Sequence, residues 1–159
     1  MSLKVEVQVA LATSGLPTAA ELHRWVAAAL AGAAYTRDTE VLIRLVNEAE
    51  SASLNQTYRH QPGPTNVLSF PCEAPAGVDV KLLGDIVICA PVVVREAVEQ
   101  NKPLPAHWAH VVIHGVLHLV GYEHQDSSQA EAMERLEIRI LAGLGYPDPY
   151  GDVAMVTDH

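Results

Sequence analysis

The chain has 159 residues, 49% apolar and 18% charged, and carries a net charge of −9 from 19 acidic against 10 basic side chains. This composition excludes a disordered chain, and with only Cys72 and Cys89 it excludes a disulfide scaffold; the length predicts one domain burying about two-thirds of its unfolded surface. The acidic balance excludes a general nucleic-acid coat while leaving room for a local cationic groove.

Residues 3–11 alternate, with Leu3, Val5, Val7, Val9 and Leu11 on one face, which predicts a half-buried strand. The turn Ser14-Gly15-Leu16-Pro17 leads into Thr18, which with Glu21 makes a capping box for a helix to about residue 31. Leu22, Trp25, Val26, Ala29 and Leu30 would face its core. Residues 40–46 read as a strand with apolar groups on both faces, hence inside a sheet. A helix over 51–59, capped by Ser51 or Ser53 and pairing Leu54 with Tyr58, is stopped by His60-Gln61-Pro62-Gly63-Pro64.

A short strand over 65–71 and a loop over 73–79 precede a continuous apolar strand over 82–89, in which Asp85 would need a partner. Cys72 and Cys89 read as small buried hydrophobes in a reducing compartment. Pro91 opens a helix to about residue 101, and Pro103 or Pro105 opens the next. This last helix carries His107, His110, His114 and His118 and is otherwise apolar on nearly every side, as a buried central helix would be. Asp126 or Ser127 then caps a helix to about residue 143, with Met133, Leu136, Ile140 and Leu144 at core spacing. The order of elements predicts an α+β fold, a mixed sheet of about four strands packed with helices. Residues 1–147 would form a single domain and 148–159 a flexible tail. With no apolar leader and no 18-residue apolar run, the expected location is the cytoplasm, away from membrane.

The chemistry concentrates in His114-Gly115-Val116-Leu117-His118-Leu119-Val120-Gly121-Tyr122-Glu123-His124. On a helix, positions 114 and 118 stand about 40° apart in projection and roughly 6 Å apart along the axis, so two imidazoles can grip one ion. Gly121 can end the helix in the left-handed conformation and turn the chain so that His124 joins them. Three histidines and an open fourth position describe a catalytic zinc-type site. The spacing is similar to that of metzincin proteases, which place a glutamate after the first histidine as general base; here that residue is Gly115. His107 sits too far along the helix to share the ion and reads as a helix-start or surface residue, whereas His110 could support a ligand, touch substrate or rest in the core. Arg59 and His60, in an acidic chain, read as either solvated surface or an anion clamp, and with Arg44 and the histidines could form a local cationic patch.

Four blocks in order resemble the YbeY family of bacterial ribosomal RNA maturation factors: Leu54-Asn55 with Tyr58-Arg59, Thr65 through Pro71, Leu83-Gly84-Asp85-Ile86, and His114 through His124. Leu144-Gly145-Tyr146 resembles the family's C-terminal end. The resemblance implies a single-strand-specific endoribonuclease with one divalent metal ion, zinc first. Its substrate would be ribosomal RNA, notably the small-subunit 3′ end, with the ribosome or small subunit as partner, a role in ribosome quality control and no DNA. By position, His114, His118 and His124 match the metal ligands and Arg59 the family's functional arginine. The catalytic set would then be Arg59 and His114. Two other readings stand beside it: a non-catalytic ribosome assembly factor with a structural metal, and a metzincin-like peptidase.

Overall fold

In the computed structural model, residues 2–75, 77–78, 80–123 and 126–150 are described. Local signals set most of the element boundaries. Strand β1 (Leu3–Val9) leads to helix α1 (Ala19–Gly32), whose capping box is complete. The Thr18 backbone N–H donates to Glu21 Oε1 at 2.9 Å, and Glu21 N–H donates to Thr18 Oγ1 at 3.1 Å. Replacing Thr18 with alanine removes one of these acceptors and is expected to cost about 1 kcal/mol, read as a lower urea midpoint at unchanged slope.

Strand β2 (Thr39–Val46) is followed by α2 (Glu48–Arg59), which starts three residues before the expected point. The cap is Asn47, whose Oδ1 accepts from Glu50 N–H at 2.9 Å, and Glu48 and Glu50 in the first turn suit the positive end of the helix dipole. Ser51 instead lies buried inside the helix. Its hydroxyl accepts from Thr65 N–H at 3.0 Å and donates to Thr65 O at 2.9 Å, and Asn55 Nδ2 donates to Gly63 O at 2.9 Å. These bonds tie the 60–65 loop to α2. They thereby fix where β3 (Val67–Pro71) begins.

Strand β4 (Leu82–Cys89) and helices α3 (Ala90–Glu99), α4 (Leu104–Leu119) and α5 (Ser127–Gly143) complete the described elements. The sheet order is β1-β2-β4-β3, with β1 and β4 parallel to β2 and β3 antiparallel to β4. This is the expected mixed four-stranded α+β sheet, with β2 inside it. On one face Ile43, Leu45, Ile86 and Ile88 meet Trp25 and Leu30 of α1, Ile113 and Leu117 of α4, and Met133 and Leu141 of α5. On the other, a smaller cluster of Val46, Leu68, Val87 and Cys89 lies beneath Leu54 of α2. Helix α4 touches β3, β4, α1, α3 and α5, so its nearly all-round apolar surface is matched by neighbours on nearly every side.

Three expectations change. Asp85 is only half-buried, and solvent meets its carboxylate where a buried partner was expected. Cys72 is exposed, leaving Cys89 as the buried thiol. Pro149 and Tyr150, in the stretch read as a tail, are buried and half-buried, while 151–159 lie outside the described residues. No helix among the described residues is long and apolar enough to cross a membrane.

Candidate active site

A cleft of about 480 Å³ runs between the edge strand β3 and the C-terminal half of α4. Its lining brings together Tyr58 and Arg59 from the end of α2, residues 65–71, and His114, His118 and Glu123. Arg59 reaches this wall because His60 adopts a left-handed conformation (φ 57°) at the end of α2 and turns the chain away.

His114 and His118 project from successive turns of α4, and their Nε2 atoms stand 3.1 Å apart. Two nitrogens on one tetrahedral zinc-type ion, each bonded at about 2.0–2.1 Å, would be about 3.3 Å apart. The observed pair is close to that bite. His114 Nδ1 lies 2.6 Å from Glu137 Oε2. A carboxylate can only accept, so Nδ1 carries the hydrogen and Nε2 keeps its lone pair for the cleft, the tautomer a metal ligand needs. The donor set therefore fits a metal. His124, the third expected ligand, lies outside the described residues, and among those described no cluster of three or more ligand-type side chains forms.

The helix end that precedes His124 in the chain is built as expected. Gly121 takes φ 108°, its N–H donates to His118 O at 3.1 Å, and Tyr122 N–H donates to Leu117 O at 2.9 Å. This pair of bonds is a Schellman ending, and it stops α4 at Leu119, one residue past His118.

Glu137 is the residue that spacing did not single out. It is fully buried on α5 between Met133 and Leu141, with three groups converging on it. Besides His114, His110 Nε2 lies 3.3 Å from Oε1, and the Tyr150 hydroxyl donates to Oε1 at 2.5 Å. Burial pushes this carboxyl up, but the hydrogen bonds and charges of His110 and His114 outweigh it and hold it down at about 2. Burial, with the Glu137 carboxylate beside it, pushes the Tyr150 hydroxyl well up, so it remains a donor. A signal for Glu137 was present: a carboxylate on the apolar stripe of Met133, Leu136 and Ile140 needs a partner as much as one in a strand does. Nothing in the sequence marks Tyr150.

The histidine stripe thus divides. His114 and His118 face the cleft, and His110 turns to Glu137 and Tyr150. His107 is buried, with Nε2 2.9 Å from Glu96 Oε1, which corrects its reading as a surface group. Glu96 Oε1 also accepts from Asn66 Nδ2 at 3.0 Å, so the His107–Glu96 pair steadies a side chain of the cleft wall. Burial raises the Glu96 carboxyl, and the hydrogen bonds from His107 and Asn66 bring it below its usual value. Arg44 leaves the expected cationic patch: its guanidinium is held by Glu50 at 2.6 and 3.0 Å and by Gln8 at 3.1 Å.

Gly115 explains why the protease base is missing. A Cβ there would lie 3.0 Å from Ile86 Cγ2 and 3.2 Å from Val67 Cγ2, because α4 packs closely on β3 and β4 and Ser69 Oγ donates to Gly115 O at 2.9 Å. A glutamate would drive a charge into that contact. We expect Gly115→Glu to lose more than about 3 kcal/mol of stability and to gain no peptide cleavage, checked by denaturant melts and a peptide assay.

The whole chain can be set beside known proteins. The family model described as Endoribonuclease YbeY matches residues 9–145. An Endoribonuclease YbeY of Nitrosococcus oceani is 54% identical over 155 residues, spanning 96% of this chain and 100% of that one. Another, of Alkalilimnicola ehrlichii, is 57% identical over 152 residues, spanning 94% and 92%. A solution structure from Thermotoga maritima superposes with a TM-score of 0.58 at 26% identity over 95% of this chain and 92% of that one. A family match over residues 9–145, with relatives 54% and 57% identical over nearly the whole length, means that this chain belongs to the YbeY endoribonuclease family.

Proposed function

We propose that the cleft is the active site of a metal-dependent endoribonuclease cutting single-stranded ribosomal RNA, with the small-subunit 3′ end as substrate, in ribosome maturation and quality control. The proposal places its partner, the ribosome or small subunit, and its site of action in the cytoplasm. The observation that carries it is the convergence of His114 Nε2 and His118 Nε2 at 3.1 Å, with Glu137 fixing the His114 tautomer, in the same cleft as Arg59. His114, His118 and His124 would hold one divalent ion, zinc first, within a single domain that runs past residue 147 to include Tyr150. Bound there, such an ion supplies a Lewis acid that draws charge from a phosphoryl oxygen.

Arg59 supplies a planar fork of donors for the phosphate, which strengthens as charge develops on the equatorial oxygens. The β3 wall and Asn66 confine the strand. Because the chain carries a net charge of −9, attraction to phosphate is local to this cleft.

The test is cleavage of a single-stranded ribosomal RNA fragment by the metal-loaded parent and by Arg59→Ala. The variant is expected to keep its metal and its melting curve while kcat falls by about 10²–10³. Unchanged kcat would remove Arg59 from the site. RNA binding without cleavage by the fully loaded parent would favour the assembly-factor reading.

A further inference from the structure

Among the described residues, Tyr58 is the aromatic side chain left most open, at 61% exposure, whereas Trp25 and Trp108 are fully buried and Tyr35, Phe70, Tyr122, Tyr146 and Tyr150 are half-buried. A single exposed apolar group needs no explanation by itself. This one stands in the cleft wall, directly before Arg59 in sequence, on the same lining as His114 and His118. It is also held. The Phe70 ring lies 5.0 Å away, centroid to centroid, at 71°, an edge-to-face pair that restrains the Tyr58 ring and leaves at least one of its faces uncovered by Phe70.

We propose that Tyr58, braced by Phe70, is a stacking subsite for the base of a nucleotide next to the phosphate held by Arg59. The inference rests on the endoribonuclease reading of the cleft and adds to it the residue that grips the base. Two physical points carry it. A protein with a net charge of −9 and one arginine in its cleft has little counterion release with which to hold RNA, whereas stacking on a ring needs no charge. A base can stack on a side chain only when it is splayed out of its own helix, so the subsite selects unpaired nucleotides. Every base has a π-face, so it does so without reading sequence.

The experiment measures binding of a short single-stranded RNA in chelator, so that cleavage does not interfere. The strand is scanned with one abasic nucleotide per position against the parent, Tyr58→Phe and Tyr58→Leu. Tyr58 is exposed and its replacement leaves no cavity; melting curves verify folding. One abasic position is expected to weaken binding about 5- to 100-fold for the parent and for Tyr58→Phe. In Tyr58→Leu the intact strand should bind more weakly by a similar factor, and the abasic penalty at that position should shrink to about 2-fold or less. An abasic penalty that persists in Tyr58→Leu, or equal binding of the intact strand by Tyr58→Leu and parent, would overturn the subsite. Cleavage of the intact strand by the parent in metal is scored separately. A parent that cuts, with binding indifferent to Tyr58, overturns the subsite alone; one that shows the Tyr58-dependent penalty but never cuts keeps the subsite and overturns the nuclease reading.

Discussion

Replacing Glu137 with glutamine should weaken metal binding by about 10- to 100-fold, and replacing it with alanine should also cost about 3–5 kcal/mol of folding stability. The carboxylate is fully buried and accepts from His114, His110 and Tyr150, so its removal leaves three half-buried donors without their acceptor. Glutamine keeps the volume but presents an amide N–H₂ where acceptors are needed, and His114 is then free to adopt the tautomer that hides its Nε2 lone pair. The metal effect is read by competition with a chelator, the stability effect by denaturant melts of metal-free protein. The same group makes a pH prediction. Its folded-state value of about 2 lies below the unfolded 4.5, so its contribution, about 3 kcal/mol, is complete above pH 4.5 and is lost as pH falls toward 2. Glu137→Gln should flatten the stability curve in that window. A curve unchanged by the substitution would show that the network holds nothing.

The second large effect is expected at the His114–His118 pair. His118→Ala leaves His114 without the neighbour whose Nε2 is 3.1 Å away, and should abolish stoichiometric metal retention and lower cleavage by about 10²–10⁴. His118 is half-buried at the end of α4, and its replacement should leave the metal-free fold standing. His110→Ala gives the contrast: it loses one bond to Glu137 but no cleft-facing nitrogen, so metal should be retained at reduced affinity. Metal retention by His118→Ala equal to that of the parent would contradict the assignment of the pair.

Where a local rule has one solution, the sequence was sufficient. The Thr18–Glu21 box, the Gly121 ending and the all-round apolar α4 each translate directly into the element observed, and the alternation of β1 does so over Leu3–Val7, while Val9, expected on the inner face, is exposed at the end of the strand. Misreadings arise where a polar side chain had two uses. Ser51 can cap a helix or bind a distant backbone, and the nearby loop gave it Thr65. His107 can face solvent or pair with Glu96, and the packing of α3 on α4 decides for Glu96. Of the site, the juxtaposition of His114 and His118 on α4 follows from helical periodicity alone. Glu137 and Tyr150 reach it from α5 and beyond through long-range packing, which periodicity cannot register. The steric reason for Gly115 likewise depends on how near α4 lies to Ile86 and Val67.

The most direct measurement is single-turnover cleavage of a single-stranded fragment from the small-subunit ribosomal RNA 3′ end, with protein stripped by chelator and then given one equivalent of zinc. Stripped protein should not cleave, one equivalent should restore cleavage, His114→Ala should stay inactive at any zinc level, and Arg59→Ala should bind the RNA and cut about 10²–10³ more slowly than the parent. Cleavage that survives stripping, or that persists alike in both variants, would contradict the proposed active site.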